Sequence, residues 1–280
     1  MDFHLRVMIA ADIPAGMRLK EIAGWNQTQG DWKRFLHASP AGCFVAESDG
    51  RVVGTAATIA YEGRFAWIGM VLVDPVARSQ GVGTKLLEKT IEYLDGCGVP
   101  SMKLDATPQG KPLYEKLGFV SEYEIERWQL QHAPLPGAVP EGNPGELADV
   151  LQLDRDIFGA DRGELLRSVA QEAPAFALQT RRDGRLTGYA FGRKGSRADH
   201  LGPWVAQDEI SARRILDDFL RRSCQPMVFV DGMRRNPWAL DLLRDHGFEF
   251  ARPLTRMVRG RNDFPGRPEL QCAVLGPEFG

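Results

Sequence analysis

The apolar and polar positions of this chain switch between a period near two and a period near 3.6. FHLRVMIA opens as a strand. From Ile13 to about Leu36, Met17, Ile22, Trp25 and Phe35 recur at roughly helical spacing with breaks near Gly24 and Gly30, which predicts two short helices. CFVAE, VVGTAATIAYEG and FAWIGMVLV are β-rich runs divided by Ser48-Asp49-Gly50 and Glu62-Gly63-Arg64, the pattern of an antiparallel meander. At Gly81 the period changes, and Val82, Leu86, Leu87, Ile91 and Leu94 form one helical stripe. PSMKLDA then reads as a strand, KPLYEKLG as a helix ended by Gly118, and FVSEYEIERWQL as a closing strand.

Residues 133–145 carry Pro134, Pro136, Pro140 and Pro144 among glycines and small side chains, the composition of a linker. Beyond it the same order of elements returns: helices in ELADVLQLDRDIFG and DRGELLRSVAQE, strands FALQT, RLTGYAFGR and HLGPWVA, a helix SARRILDDFLRRS, a strand MVFVDG, a helix WALDLLRDHG, and strands RPLTRMVR and LQCAVLG. Val53-Gly54, Ile68-Gly69 and Gly118-Phe119 line up with Thr187-Gly188, Leu201-Gly202 and Gly247-Phe248 at offsets that differ by only a few residues. Two copies of one mixed α/β unit are expected, over residues 1–132 and 146–280.

Composition narrows the function classes. With 280 residues, 43% hydrophobic and 26% charged, the chain can build a sizeable core. A formal net charge of -2 offers no basic field, so neither a nucleic-acid nor a membrane partner is expected. No run approaches the roughly 18 apolar residues of a membrane span, and the N-terminus lacks a signal-peptide pattern, so a cytoplasmic location is expected. Cys43, Cys97, Cys224 and Cys272 are scattered without CxxC or His pairing, which suggests neither a metal site nor a disulfide framework.

The candidate chemistry lies in VLVDPVARSQGVGTKLLEKTIEYL, where a strand runs through a loop with Gly81 and Gly83 into an amphipathic helix. The first amides of a helix have no internal acceptor and carry the positive end of its dipole, so such a turn is an anion site. Arg78 can add a charge, and Gln80 and Thr84 can add hydrogen bonds. The segment is neither a Walker loop, lacking Gly-Lys-(Ser or Thr), nor a dinucleotide fingerprint, lacking the third glycine.

This segment resembles motif A of the GNAT superfamily of acyl-CoA-dependent N-acetyltransferases, whose (Gln or Arg)-x-x-Gly-x-(Gly or Ala) signature is met by Arg78, Gly81 and Gly83. The resemblance implies two GNAT-like domains in tandem and an acetyl-CoA cosubstrate. Main-chain groups of Val71 and Val73 would pair with pantetheine, an amide near Leu72 would polarise the thioester carbonyl, and the amides of Ser79, Gln80, Gly81, Val82, Gly83 and Thr84 would cradle the pyrophosphate. KPLYEKLGF is similar to motif B of that family, which makes Tyr114 the candidate acid for the departing thiolate. Thr107 stands where the family often has an asparagine, so its contact with pantetheine is a departure from the pattern.

The attacking amine must also lose a proton, since an alkylammonium is neutral in only about one molecule in a few thousand at pH 7. Asp105 and Glu62 are the candidate bases. Trp25, Asn26 and Trp67 are the candidate contacts with the acceptor. In the second copy the corresponding loop has no glycine and begins its helix with Asp208 and Glu209, and Leu243 replaces the tyrosine, so this copy is expected to keep the fold without the chemistry. Arg193, His200 and Trp204 of that copy are weaker candidates for the acceptor side. The expected activity is N-acetylation of a small-molecule amine by a monomer or homodimer. A protein or peptide amine, or a non-catalytic acyl-CoA sensor, are the alternatives.

Overall fold

The computed structural model describes residues 2–131, 133 and 147–280, so the proline-rich linker lies outside the described residues except for residue 133. The first copy runs β1 (His4–Val7), α1 (Ile13–Ile22), α2 (Gln29–Ala38), β2 (Phe44–Ser48), β3 (Arg51–Tyr61), β4 (Phe65–Val73), α3 (Val82–Gly96), β5 (Ser101–Ala106), α4 (Lys111–Lys116) and β6 (Val120–Gln131). The second runs α5 (Ala148–Phe158), α6 (Gly163–Glu172), β7 (Leu178–Arg182), β8 (Arg185–Lys194), β9 (Asp199–Ala206), α7 (Glu209–Arg222), β10 (Met227–Met233), α8 (Ala239–Asp245), β11 (Glu249–Gly260) and β12 (Gln271–Ala273). Gly24 separates α1 from α2, whereas Gly30 does not break a helix. Thr28 and Asp31 form a capping box that starts α2 ahead of it.

All twelve described strands join one mixed sheet in the order β1-β2-β3-β4-β5-β11-β6-β10-β12-β9-β8-β7. The final long strands are exchanged between the copies. β11, from the second, lies antiparallel between β5 and β6, and β6, from the first, reaches β10. The exchange gives every inner edge a partner, so two half-sheets become one hydrogen-bonded ladder and the copies are separate in sequence only.

The largest apolar cluster spans both copies as well: Trp32 and Phe35 of α2, Trp67 of β4, Phe158 of α5, Tyr189 of β8 and Phe279 all belong to it. Residues 277–280 lie across the first copy. Phe279 stacks on Phe35 at 4.9 Å, Tyr61 donates to the Phe279 carbonyl and Trp67 Nε1 to that of Pro277. A Cβ at Gly69 would lie 2.5 Å from the Glu278 carbonyl oxygen, so only glycine admits the tail against β4.

Candidate active site

The cleft begins where β4 and β5 part. These strands are parallel and pair only at Ala66 with Met102 and Trp67 with Lys103. Beyond that point β4 carries a bulge, passing from Gly69 opposite Ala57 to Leu72 opposite Thr55, with Met70 at φ +54° and its carbonyl held by Thr55 Oγ1 at 2.7 Å. A bulge bends its strand and interrupts the ladder. The resulting gap, of about 1020 Å³, is lined on one side by Val71, Leu72 and Val73 and on the other by Asp105, Thr107 and Tyr114.

At its mouth stands the glycine loop. Asp74 anchors it: the carboxylate accepts from Val76 N and pairs with Arg18 at 2.6 Å, which holds it below the usual carboxylate range. Gly81, at φ +84°, is the residue before α3, and no side chain caps the amides that follow. Arg78, Ser79, Gly81, Val82, Gly83 and Thr84 all line the cleft. Gln80 instead turns back to donate to the Val76 carbonyl at 2.9 Å. The corresponding helix of the second copy is closed, because Asp208 Oδ1 accepts from Ser211 N at 2.8 Å. Leu243 is buried there without a polar atom, and Asn236 caps α8.

Tyr114 packs edge-on against Phe119, and burial pushes its hydroxyl up to about 12. Among the described residues that hydroxyl has no hydrogen-bond partner. Thr107 Oγ1 accepts from Gly110 N at 3.2 Å and so shapes the turn into α4.

Several expected roles are displaced. Glu62 is outside the cleft: it binds Arg155 at 2.6 Å and the Asp161 amide at 2.7 Å, and the Arg155 hydrogen bond keeps it ionised below the usual range. Asp105 does reach the cleft, but Arg256 grips both its oxygens at 2.9 Å. Burial raises Asp105 against that pairing. Trp67 is fully buried beneath Arg256 and the 277–280 tail. Asn26 joins the copies: Nδ2 donates to the Ala198 carbonyl, and Oδ1 accepts from the Arg197 and Ala198 amides at 2.8 and 3.0 Å. Only Trp25 of the three acceptor candidates lines the cleft. Asn26→Ala should therefore destabilise the chain by about 1–3 kcal/mol in urea unfolding, chiefly through the buried Ala198 amide left unpaired.

The structure adds Gln27, Arg127, Arg252 and Glu278 to the lining. Glu278 is 3% exposed. Its Oε1 lies 2.7 Å from Arg193 Nη1, and its Oε2 is shielded from solvent with no hydrogen bond among the described residues. Gln27 Oε1 and Arg252 Nε are likewise shielded and unbonded. Arg193 also binds Asp31 at 2.8 Å and donates to His200 Nδ1, while Trp204 is core. One signal for the arginines was readable: Arg127 continues the inward phase of Tyr123 and Ile125, while Glu122, Glu124 and Glu126 take the other. Glu278 carried none, because only the fold brings the tail to β4.

Residues 17–119 match the family described as Acetyltransferase (GNAT) family, and residues 150–272 match one described as Acetyltransferase (GNAT) domain. The chain is 24% identical to a holothin acyltransferase from Pseudoalteromonas, over 91% of this chain and 87% of the relative. It is 32% identical to a mycothiol acetyltransferase from Acidimicrobium ferrooxidans, over 39% of this chain and 41% of the relative. A candidate acetyltransferase from Pyrococcus horikoshii shares the fold at a TM-score of 0.82 and 22% identity, covering 99% of this chain and 96% of that one.

Proposed function

The chain belongs to the GNAT family of N-acetyltransferases as a tandem of two such domains, and from that premise we propose that it acetylates a small-molecule amine from acetyl-CoA at a single site, in the first copy. The observation that carries this reading is the contrast between the two helices. The amides at the start of α3 are uncapped and open on the β4–β5 gap beside Tyr114, while α7 is capped by Asp208, which takes the Ser211 amide.

The loop suits a pyrophosphate on electrostatic and steric grounds: unpaired amides, the positive helix end, and glycine at the αL position. Val71 to Val73 offer an interrupted strand edge along which pantetheine can lie. The amine nitrogen attacks the thioester carbon, the carbon–sulfur bond breaks, and Tyr114 gives its proton to sulfur as a negative charge develops there. Glu278 takes the proton that the amine loses, since it is a lining carboxylate whose Oε2 has no hydrogen bond among the described residues and whose backbone rests on Gly69, beside the point where β4 and β5 separate. Two relatives named for holothin and mycothiol, rather than for a protein, support a small acceptor.

Gly83→Asp tests the site. A Cβ at Gly83 would meet Val73 and Leu113 at ordinary contact distances of 3.5 and 3.6 Å, so the fold should tolerate it, while the carboxylate would stand among the amides. Acetyl-CoA at 100 times its Kd should stabilise the wild type by about 2.7 kcal/mol, and the variant should show almost none of that shift at an unchanged basal Tm. Equal stabilisation of both proteins would refute this placement. Release of free thiol from acetyl-CoA across an amine panel then separates an enzyme from a sensor.

A further inference from the structure

We infer that the acceptor is an amino acid or amino-acid-like compound, whose carboxylate is bound by Arg252 while its amine faces Glu278. This rests on the acyl-transfer reading of the cleft and adds the chemical class of the acceptor.

The exchanged strands place side chains in three cross-strand rows on the cleft face. Tyr123, Arg256 and Asp105 form the first, from β6 through β11 to β5. Met233, Ile125 and Leu254 form the second, and Asp231, Arg127 and Arg252 the third, from β10 through β6 to β11. Arg256 closes the first row on Asp105, and the second is apolar. In the third, Asp231 holds Arg127 through both oxygens at 2.8 and 2.6 Å, and His200 Nε2 lies 3.0 Å from the same carboxylate. Burial keeps His200 below its usual range, and Arg193 donates to its Nδ1, so the ring is neutral.

Arg252 is therefore the unbalanced charge. It stands directly opposite Arg127, and like charges in that position repel. Among the described residues no carboxylate pairs with it and no acceptor meets its buried Nε. A β-bulge put it there: register shifts between Phe250 and Arg252, so these residues, which regular alternation would place on one face, lie on opposite ones. Phe250 packs on Trp128 and Arg252 joins the cleft. A guanidinium left without a counter-ion on the lining of a cleft fits a planar carboxylate through two parallel hydrogen bonds. A single guanidinium fork fits one planar carboxylate, whereas a phosphate dianion would bring a second negative charge towards Glu278 and Asp231. The complementary group is Glu278, a lining carboxylate whose Oε2 has no hydrogen bond among the described residues and which would accept from an ammonium or amine.

The test uses the full chain saturated with CoA and titrates L-amino acids and short ω-amino acids, each beside its methyl ester, with O-phosphoethanolamine as the dianionic arm. Wild type should bind at least one amino acid about tenfold or more tightly than its ester. Arg252→Gln should abolish that preference while leaving CoA affinity and ester binding unchanged. The variant's basal Tm should hold or rise, because a repulsion is removed, and Arg252→Lys should restore part of the preference. In turnover the loss should appear in the acceptor KM, with kcat nearly kept. Equal binding of acids and esters, no amino acid bound, tighter binding of phosphoethanolamine, or weakened CoA binding in Arg252→Gln would each overturn the inference. Saturable CoA binding and amine-dependent thiol release in those same cases would leave the acetyltransferase reading standing.

Discussion

Tyr114→Phe is expected to lower kcat by about 10²- to 10⁴-fold while the Kd for acetyl-CoA stays within a factor of about two. The substitution removes one oxygen and keeps the ring that packs on Phe119, so the fold and the CoA cleft are retained. The effect falls on the step in which sulfur gains negative charge. Burial raises the phenol to about 12, and a raised acid is fully protonated below that value. The wild-type rate should therefore show no loss from Tyr114 ionisation between pH 5 and 9, and any rise across that range should report the acceptor amine losing its proton. Steady-state kinetics with acetyl-CoA and an accepted amine, repeated for the variant, measure both. An unchanged kcat would mean that water protonates the sulfur and that Tyr114 only packs.

Asp231→Ala should destabilise the chain by about 3–5 kcal/mol, the cost of leaving a buried ion pair half made. Arg127 would lose two hydrogen bonds at 2.8 and 2.6 Å and the carboxylate paired with it, while Arg252 still stands opposite. Because β6 and β11 are exchanged, the loss should not stay local. Urea unfolding followed by intrinsic fluorescence and by far-UV dichroism should give one coincident transition in wild type and variant alike. Separate transitions would show that the shared ladder does not couple the copies. The pH dependence has a definite sign. Arg127 and His200 hold the Asp231 carboxylate far below its usual range despite burial, so its contribution is complete above the unfolded value near 4 and declines as pH falls below it. The variant should lose that part of the acid sensitivity.

The position of Glu278 on the cleft separates what local pattern carries from what it cannot. Strand and helix periods, the turn glycines and the repeat of landmarks at nearly constant offsets were legible because each depends on neighbours within a few residues. The glycine loop was legible for the same reason: a glycine able to take φ +84° directly before a helix is a local arrangement. So was the contrast between Gly81-Val82-Gly83 and Asp208-Glu209, since a capping side chain acts within three residues of its own backbone.

Partners from distant parts of the chain decided the rest. Glu62 and Asp105 are both carboxylates near the first-copy sheet, and sequence offers no means of telling them apart. Arg155 takes one outside the cleft and Arg256 the other inside it. Asn26 looked like a loop amide until Arg197 and Ala198 claimed it, and Trp67 is covered by a tail that begins more than two hundred residues later. The exchange of β6 and β11 follows the same rule. Either strand satisfies the same edge by backbone hydrogen bonds that carry no side-chain identity, so the alternation in FVSEYEIERWQL determines which face is inward and not which strand lies beside it. By itself the sequence determined the two copies, their elements and the contrast between an uncapped α3 and a capped α7, all set by short-range geometry. Tertiary structure decided that Arg127 from one copy and Arg252 and Glu278 from the other line one cleft, because charge balance and burial arise only when strands far apart in the chain meet.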